Sequence, residues 1–230
     1  KAAALKTYLR AGTGGGVRVL IVSADSPGID SVREVRFIQG IHHTSLLHGT
    51  VTEADIFAVC RDTAFDIIHF ASHGGPEGVQ LSNGEIMDAN SIATVARLRE
   101  TEGLIFNSCE AAVLANYAVR HGVRWALSAD DVLENDDAWK LPAAFYGALR
   151  NGHSRDIVGA FILADGGDGK YGLRWNPLYI QELQRAAALA ATIPHAARPL
   201  SRQEAAIWAV LLTLGAAGLT AALLFAAGRL

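Results

Sequence analysis

Two reactive side chains lie where two predicted core strands end. His73 follows the apolar run at residues 66–71, and Cys109 follows the apolar run at residues 104–107. Neighbouring parallel strands lie about 4.8 Å apart and end at one edge of a sheet, so the imidazole and the thiol meet if the two strands are neighbours. The thiolate would then be the nucleophile, and the imidazole would move the proton. The two motifs therefore indicate a Cys–His pair for nucleophilic catalysis.

The residues next to this pair fit the same chemistry. A helix is predicted to begin directly after Cys109, and the dipole of a helix N-terminus favours a thiolate. Gly74 and Gly75 follow the histidine and leave space for a peptide substrate. A backbone N–H at Gly74 can stabilise a developing oxyanion. We therefore expect Gly74 to belong to the oxyanion hole.

Spacing alone leaves a structural alternative for these residues. A single cysteine or histidine at a strand end is often a packed or hydrogen-bonded residue without a catalytic role. Cys60 lies on the apolar face of a predicted helix that begins at Thr52, and we expect it to be a core cysteine. The histidines show no HxH or HExxH pattern, and the two cysteines form no cluster with them. The sequence therefore predicts no metal site and no cofactor.

Short apolar runs predict the strands that position the pair. The run at residues 17–22 is apolar and rich in β-branched residues, which is typical of a strand that is buried on both faces. Further core strands are expected at residues 66–71, 104–107 and 125–128. A further strand is expected near residues 44–48. Predicted helices alternate with these strands, so the predicted fold class is α/β with a mostly parallel central sheet.

The remaining elements are predicted from turn and capping residues. A hairpin is expected around the Ser-Asn-Gly turn at residues 82–84. Asn90 or Ser91 is expected to cap the helix that follows it. A last edge strand is expected at residues 175–180.

Composition limits the classes of function that remain. Of the 230 residues, 20 are basic and 23 are acidic, which gives a net charge of −3, and half of the residues are apolar. An apolar content this high excludes a disordered chain. Two cysteines cannot form a disulfide-rich scaffold. Because there is no basic excess and no stripe of Lys and Arg, the sequence predicts no nucleic-acid binding.

The C-terminal segment has a different composition from the rest of the chain. Residues 205–228 carry no charged side chain, and as a helix they would be about 36 Å long, against a hydrocarbon core of about 30 Å. We therefore predict one transmembrane helix that contacts the lipid bilayer. Flanking charge places the preceding domain in the cytoplasm as a single-pass membrane protein. The flanking cations are Arg185, Arg198 and Arg202 before the segment and Arg229 after it.

The segments DIIHFASHGG and GLIFNSCEAA resemble the CHAT family of caspase-like proteins, in the separase/caspase-like superfamily. The similarity covers residues 17–180 and includes the later stretch FYGALRNGHS and the predicted strand at Trp175. The resemblance implies a caspase-like three-layer sandwich and cysteine endopeptidase activity. It also implies that His73 is the family's histidine and Cys109 its nucleophile, in a dyad that needs no third carboxylate.

Acidic residues follow the next predicted core strand, where caspase-like enzymes build the first specificity pocket. Asp130 is the candidate substrate-binding residue, and an acidic pocket would favour Arg or Lys before the scissile bond. The alternative is that Asp136 and Asp137 cap a helix and that the other acidic residues lie in a solvated loop.

These observations predict four segments and one leading function. The segments are an N-terminal helix and glycine linker at 1–16, a CHAT peptidase domain at 17–180, a connector at 181–204 and a transmembrane helix at 205–228. The expected function is that of a membrane-anchored thiol protease that cleaves a protein or peptide substrate. As the resemblance implies, an activating partner protein would switch it on in bacterial signalling or defence. The alternative is a catalytically inactive caspase-like module that binds a partner at the membrane.

Overall fold

The computed structural model describes residues 17–25, 31–133, 138–150, 157–165 and 170–192. The described residues of Lys6–Pro177 belong to one compact unit, and those from Leu178 onward belong to a second. The predicted N-terminal helix and linker at 1–16 and the predicted transmembrane helix at 205–228 lie outside the described residues. So do Asp136, Asp137 and residues 193–204 of the predicted connector.

Nine strands form two sheets in the described part of the chain. They are β1 (Arg18–Ala24), β2 (His43–Gly49), β3 (Ile67–Phe70), β4 (Gly74–Gly75), β5 (Gly78–Gln80), β6 (Ile86–Asp88), β7 (Gly103–Phe106), β8 (Trp125–Ala129) and β9 (Tyr171–Trp175). The main sheet has the order β2-β1-β3-β7-β8-β9. Its first five strands are parallel, and β9 is antiparallel to β8. Strands β4, β5 and β6 form a small antiparallel sheet. The predicted α/β class with a mostly parallel central sheet is confirmed.

Helices cover both faces of the main sheet. Within this unit they are α1 (Val32–Gln39), α2 (Glu53–Asp62), α3 (Ala89–Leu98), α4 (Ala112–Arg120), α5 (Lys140–Arg150) and α6 (Ile157–Asp165). A further helix, α7 (Pro177–Thr192), begins at the last residue of this unit and forms the described part of the second unit. Side chains of α2, α3 and α4 share one core cluster with the sheet, and side chains of α1, α5 and α6 share the other. The unit is therefore a three-layer arrangement with its core on both sides of the sheet.

Strand β1 is apolar on both of its faces and lies inside the main sheet, between β2 and β3. Its side chains alternate between the two clusters: Val19 and Ile21 belong to the cluster under α1, and Leu20 and Val22 belong to the cluster under α2. All four are fully buried. Burying such a side chain contributes about 1.5–3 kcal/mol, so a polar residue at any of these positions would weaken one layer of the core.

Three local expectations differ from the structure. The cap of α3 is Asp88, which accepts a hydrogen bond from the Ser91 N–H at 2.7 Å, rather than Asn90 or Ser91. Strand β4 was not expected, since glycine has a low strand propensity. The edge strand ends at Trp175, because Pro177 begins α7 and proline is favoured in the first turn of a helix.

Among the described residues, no helix has the length and apolar content that crossing a bilayer requires.

Candidate active site

The two strands that precede His73 and Cys109 are neighbours. Strands β3 and β7 pair in parallel, with Phe70 opposite Phe106, and the Asn107 N–H extends the pairing by donating to the Phe70 carbonyl at 2.9 Å. His73 and Cys109 each lie three residues beyond this matched pair. The structure therefore fulfils the condition on which the predicted site depends, and both residues follow the carboxyl edge of the sheet.

Gly74 lies directly against the residue that precedes the cysteine. A Cβ atom added at Gly74 would be only 2.6 Å from the Ser108 Cβ, so the two turns approach as closely as glycine permits. The Gln80 N–H donates to the His73 carbonyl at 2.8 Å, which makes His73 and Gln80 a hydrogen-bonded pair of the β4–β5 ladder. Hydrogen-bonded and non-hydrogen-bonded pairs alternate along an antiparallel ladder, so Gly74 and Val79 form a non-hydrogen-bonded pair and the Gly74 N–H faces away from β5. An N–H that donates to an oxyanion must face away from the ladder in this way.

Two buried hydroxyl groups flank the predicted pair. Ser72 directly precedes His73, and Ser108 directly precedes Cys109. Neither hydroxyl oxygen has a hydrogen-bond partner among the described residues. A buried hydroxyl without a partner is uncommon in folded proteins, and each instance calls for an explanation. Here both instances occur at the two strand ends that carry the reactive side chains.

The loop after β8 contacts the thiol of Cys109. The Leu133 N–H donates to the Cys109 Sγ at 3.3 Å, and the Sγ lies 3.9 Å from the Leu133 carbonyl oxygen. Glu110, with φ of +51°, makes the turn that leads into α4. The Leu133 N–H is therefore directed at the sulfur of this half-buried cysteine, and α4 begins just beyond it.

The other cysteine has a different environment. Cys60 is buried in the cluster beneath α2, and burial raises the pKa of its thiol to about 12. A protonated thiol is a poor nucleophile, so Cys60 is inert at neutral pH. The expectation that Cys60 is a core residue is confirmed.

Asp130 lies beside the nucleophile turn, but its carboxylate is paired. The Glu110 N–H donates to the Asp131 carbonyl at 3.4 Å, and the Ala111 N–H donates to the Ala129 carbonyl at 3.1 Å, so Asp130 lies directly across from this turn. Both carboxylate oxygens of Asp130 accept hydrogen bonds of 2.8 Å from Arg174 of β9. The role of Asp130 in substrate binding stays a prediction.

A buried polar network that the sequence analysis missed lies just before Cys109. The Asn107 Nδ2 donates to both carboxylate oxygens of Glu34 at 2.8 Å and to the Ala138 carbonyl at 2.9 Å. The Tyr171 hydroxyl donates to the Asn107 Oδ1 at 2.8 Å. These bonds connect the end of β7 to α1, to Ala138 just before α5, and to β9. Asn107 thus helps to fix the position of the turn that contains Cys109.

His69 extends this network under the sheet. Its Nε2 lies 2.7 Å from the Glu34 Oε1, although the ring N–H is not aligned for a hydrogen bond, and its Nδ1 lies 3.3 Å from the Tyr146 hydroxyl. Burial, followed by the charge of Glu34, raises the pKa of Tyr146 well above its usual value. The available signal was the histidine in the middle of the run IIHF, since a buried imidazole requires a polar partner.

The described residues include no group of three or more His, Cys, Asp or Glu side chains arranged to ligate a metal ion.

Comparisons with known proteins identify no family for this chain. No family model matches, and no curated protein matches. Among solved structures, a putative pilus assembly-related protein from Burkholderia pseudomallei is similar at 22% identity over 59% of this chain and 95% of that chain, with a TM-score of 0.34. The RcsB response regulator of Salmonella typhimurium is similar at 11% identity over 78% and 79%, with a TM-score of 0.37.

A third solved structure is the O-acetylhomoserine sulfhydrylase of Wolinella succinogenes, at 14% identity over 90% of this chain and 67% of that chain, with a TM-score of 0.33. All three TM-scores are low, so these similarities carry no argument about the activity of this chain.

Proposed function

We propose that the chain is a caspase-like cysteine endopeptidase with Cys109 as nucleophile and His73 as its proton carrier. One observation carries the proposal: β3 and β7 are adjacent parallel strands in matched register, and each ends three residues before one member of the pair. Helices on both faces and an antiparallel last strand are compatible with the caspase-like sandwich that the resemblance to the CHAT family implies.

The proposed reaction proceeds through an acyl-enzyme. The Cys109 thiolate attacks the scissile carbonyl, a C–S bond forms, and the carbonyl electron pair moves onto the oxygen, which faces the Gly74 N–H. When this intermediate collapses, the C–N bond breaks and the His73 imidazolium gives its proton to the leaving amine. Water then attacks the thioester while His73 accepts a proton, and the C–S bond breaks to release the new carboxyl terminus.

The proposal extends to where the enzyme acts. Residues 205–228 would anchor it to a bilayer, with the peptidase domain on the cytoplasmic side. The Leu133 contact lies directly on the half-buried Cys109 thiol, and an activating partner that moves the loop after β8 would raise the rate above the basal rate of the chain alone. Such an enzyme fits the role of a switched effector in bacterial signalling or defence.

The second candidate function is a non-catalytic module that binds a partner at the membrane. The same Leu133 contact favours it, because a sulfur that is hydrogen-bonded to the backbone of a neighbouring loop is suited to holding that loop in place. In that case Cys109 is structural, and its removal would loosen the loop without the loss of a reaction.

The test is covalent trapping on the full-length chain in detergent. Peptidyl ketones with different residues before the reactive group are incubated with the parent protein and with Cys109→Ala, His73→Ala and Cys60→Ala, and the adduct is mapped by mass spectrometry. Cleavage of fluorogenic peptides is followed in the same samples. Cys60→Ala is the matched control, because it removes the other thiol of the domain.

The proposal expects an adduct on Cys109 whose rate depends on the peptide and falls sharply in His73→Ala. It also expects cleavage that both site variants abolish and that Cys60→Ala retains, since coupled nucleophile and base act as a unit. If the peptidyl ketones react with Cys109 no faster than a small alkylating agent does, and no peptide is cleaved, the non-catalytic module is the correct function.

A further inference from the structure

A cluster of three hydrogen-bonded side chains lies at the carboxyl end of β8 and on β9, beside the nucleophile turn; we call it the Ser128–Asp130–Arg174 cluster. The Arg174 Nη2 donates to both oxygens of Asp130 at 2.8 Å, and its Nη1 donates to the Ser128 Oγ at 2.6 Å. The Ser128 hydroxyl in turn donates to the Asp130 Oδ1 at 3.0 Å. The cluster therefore contains one carboxylate and one guanidinium in a two-pronged contact, with no net charge.

The strand pairing builds this cluster next to a glycine. In the antiparallel register, Ser128 is opposite Gly172, and Arg174 lies two residues further along β9 on the same face. A Cβ atom at Gly172 would lie 2.6 Å from the Asp130 Oδ2 and 2.7 Å from the Arg174 Nη1. A larger residue would require the ends of these two side chains to shift, so glycine at position 172 leaves them room for their present contact.

The location of the cluster gives it access to a bound substrate. Asp130 is flanked by two backbone hydrogen bonds to the turn of Cys109, from Glu110 to Asp131 and from Ala111 to Ala129. The substrate residue whose carbonyl the thiolate attacks is bonded to Cys109, so its side chain must lie within a few ångströms of this turn. The charged groups are reachable, because the Asp130 side chain is 36% exposed and that of Arg174 is 17% exposed.

We propose that Arg174 is the specificity-determining residue of the peptidase: it neutralises Asp130, so that the site selects an uncharged residue before the scissile bond. This inference rests on the proposed function. A substrate guanidinium that approached Asp130 would meet the like charge of Arg174, and a substrate carboxylate that approached Arg174 would meet Asp130. Within the Ser128–Asp130–Arg174 cluster, neither charged substrate gains a new partner, whereas an uncharged side chain leaves the existing hydrogen bonds intact.

The proposal predicts opposite changes when either charge is removed. Arg174→Met keeps an unbranched apolar stem of similar length and frees the Asp130 carboxylate, which then favours Arg or Lys in the substrate. Asp130→Asn frees the guanidinium, which then favours Asp or Glu. The double variant has neither charge and returns to uncharged residues. Each single variant is expected to change the ratio of kcat/KM for Arg and Asp peptides by about tenfold or more, in opposite directions.

The experiment uses fluorogenic peptides that differ only in Arg, Asp or Gln before the cut, with the full-length parent, the two single variants and the double variant. Arg124→Met is the matched control: Arg124 forms an ion pair with Glu102 at 3.1 Å, next to the start of β8 at the other end of the strand. It removes an ion pair without touching the cluster, and it should leave the ratio of the parent unchanged.

Three outcomes separate this inference from the proposed function. A Gln peptide preferred by the parent and opposite shifts in the two single variants support the inference. A parent that prefers the Arg peptide, or an Arg174→Met variant with an unchanged ratio, overturns it while Cys109-dependent cleavage still supports the peptidase. The absence of Cys109-dependent cleavage from every chain overturns the peptidase and the inference together.

Discussion

Replacing Gly74 with alanine tests the closest approach between the two halves of the candidate site. The new Cβ would lie 2.6 Å from the Ser108 Cβ and 3.3 Å from its Oγ, whereas carbon atoms in contact are separated by about 3.5–4.0 Å. The two strand ends must therefore separate by about 1 Å. Overpacking of this kind costs about 1–3 kcal/mol in the free energy of unfolding, and a displacement of about 1 Å in an active site costs about 100-fold in rate.

Gly75→Ala is the control that the structure provides for this experiment. A Cβ atom at Gly75 meets only the end of the exposed Glu77 side chain, at 3.1 Å, and that side chain can rotate away. Both variants keep their backbone N–H, so any difference between them is steric. In a domain of this size, the expected loss for Gly74→Ala corresponds to about 2–12 °C in Tm, and Gly75→Ala should remain close to the parent.

Two measurements decide the matter: the Tm of the three proteins by calorimetry and the rate of Cys109 labelling by a peptidyl ketone. We expect Gly74→Ala to lose both stability and labelling rate, with the rate falling more than the fraction of folded protein explains. If Gly74→Ala and Gly75→Ala have the same Tm and the same labelling rate, the close contact between Gly74 and Ser108 does not exist in solution, and the site geometry argued above is wrong.

Four further predictions concern the two thiols, the buried network and the C-terminal segment. Because burial raises the pKa of Cys60 to about 12, iodoacetamide at pH 8 should modify Cys109 and reach Cys60 only after unfolding, as peptide mapping would show. For the same reason the contribution of Cys60 to stability is present below about pH 8.5 and is lost as the pH rises toward 12, so urea unfolding of Cys60→Ala should depend less on pH in that window. Asn107→Asp places a second carboxylate about 2.8 Å from that of Glu34, and it should lower the free energy of unfolding by about 3–5 kcal/mol in urea titrations. Deleting residues 205–230 should give a folded domain that no longer sediments with membranes; release of the full-length chain by carbonate would show instead that the segment does not span the bilayer.

The sequence predicted the strands well because each strand is encoded locally. Strands β1, β3, β7 and β8 coincide with the four apolar runs, since a strand buried on both faces needs apolar residues at every position. The candidate site followed from the same logic, because residues that follow parallel strands collect at one edge of the sheet. That β3 and β7 are neighbours was the one assumption that no local pattern contained.

The buried polar network was out of reach for a physical reason. Glu34, His69 and Asn107 are brought together from three separate elements, and Asn107 lies 73 residues from the carboxylate it contacts. Along the chain, Glu34 is one more charged residue in an amphipathic helix, and its burial beside Val35 and Ile38 follows only from how α1 packs. A buried charge depends on partners that the tertiary structure supplies, and the spacing of residues within one helix does not predict which residues those partners are.

A small error in the boundary of one strand changes the surroundings expected for Asp130. With the edge strand at residues 175–180, Arg174 would precede the strand, and Asp130 would have no partner across the sheet. With β9 at Tyr171–Trp175, the antiparallel pairing with β8 places Arg174 next to Ser128 and Asp130. Arg174 lies 44 residues after Asp130 in the chain. The neutral site that we propose thus depends on a shift of four residues in the start of one strand. The pairing of Asp130 with Arg174 is a property of strand register, and the acidic residues of one loop do not specify it alone.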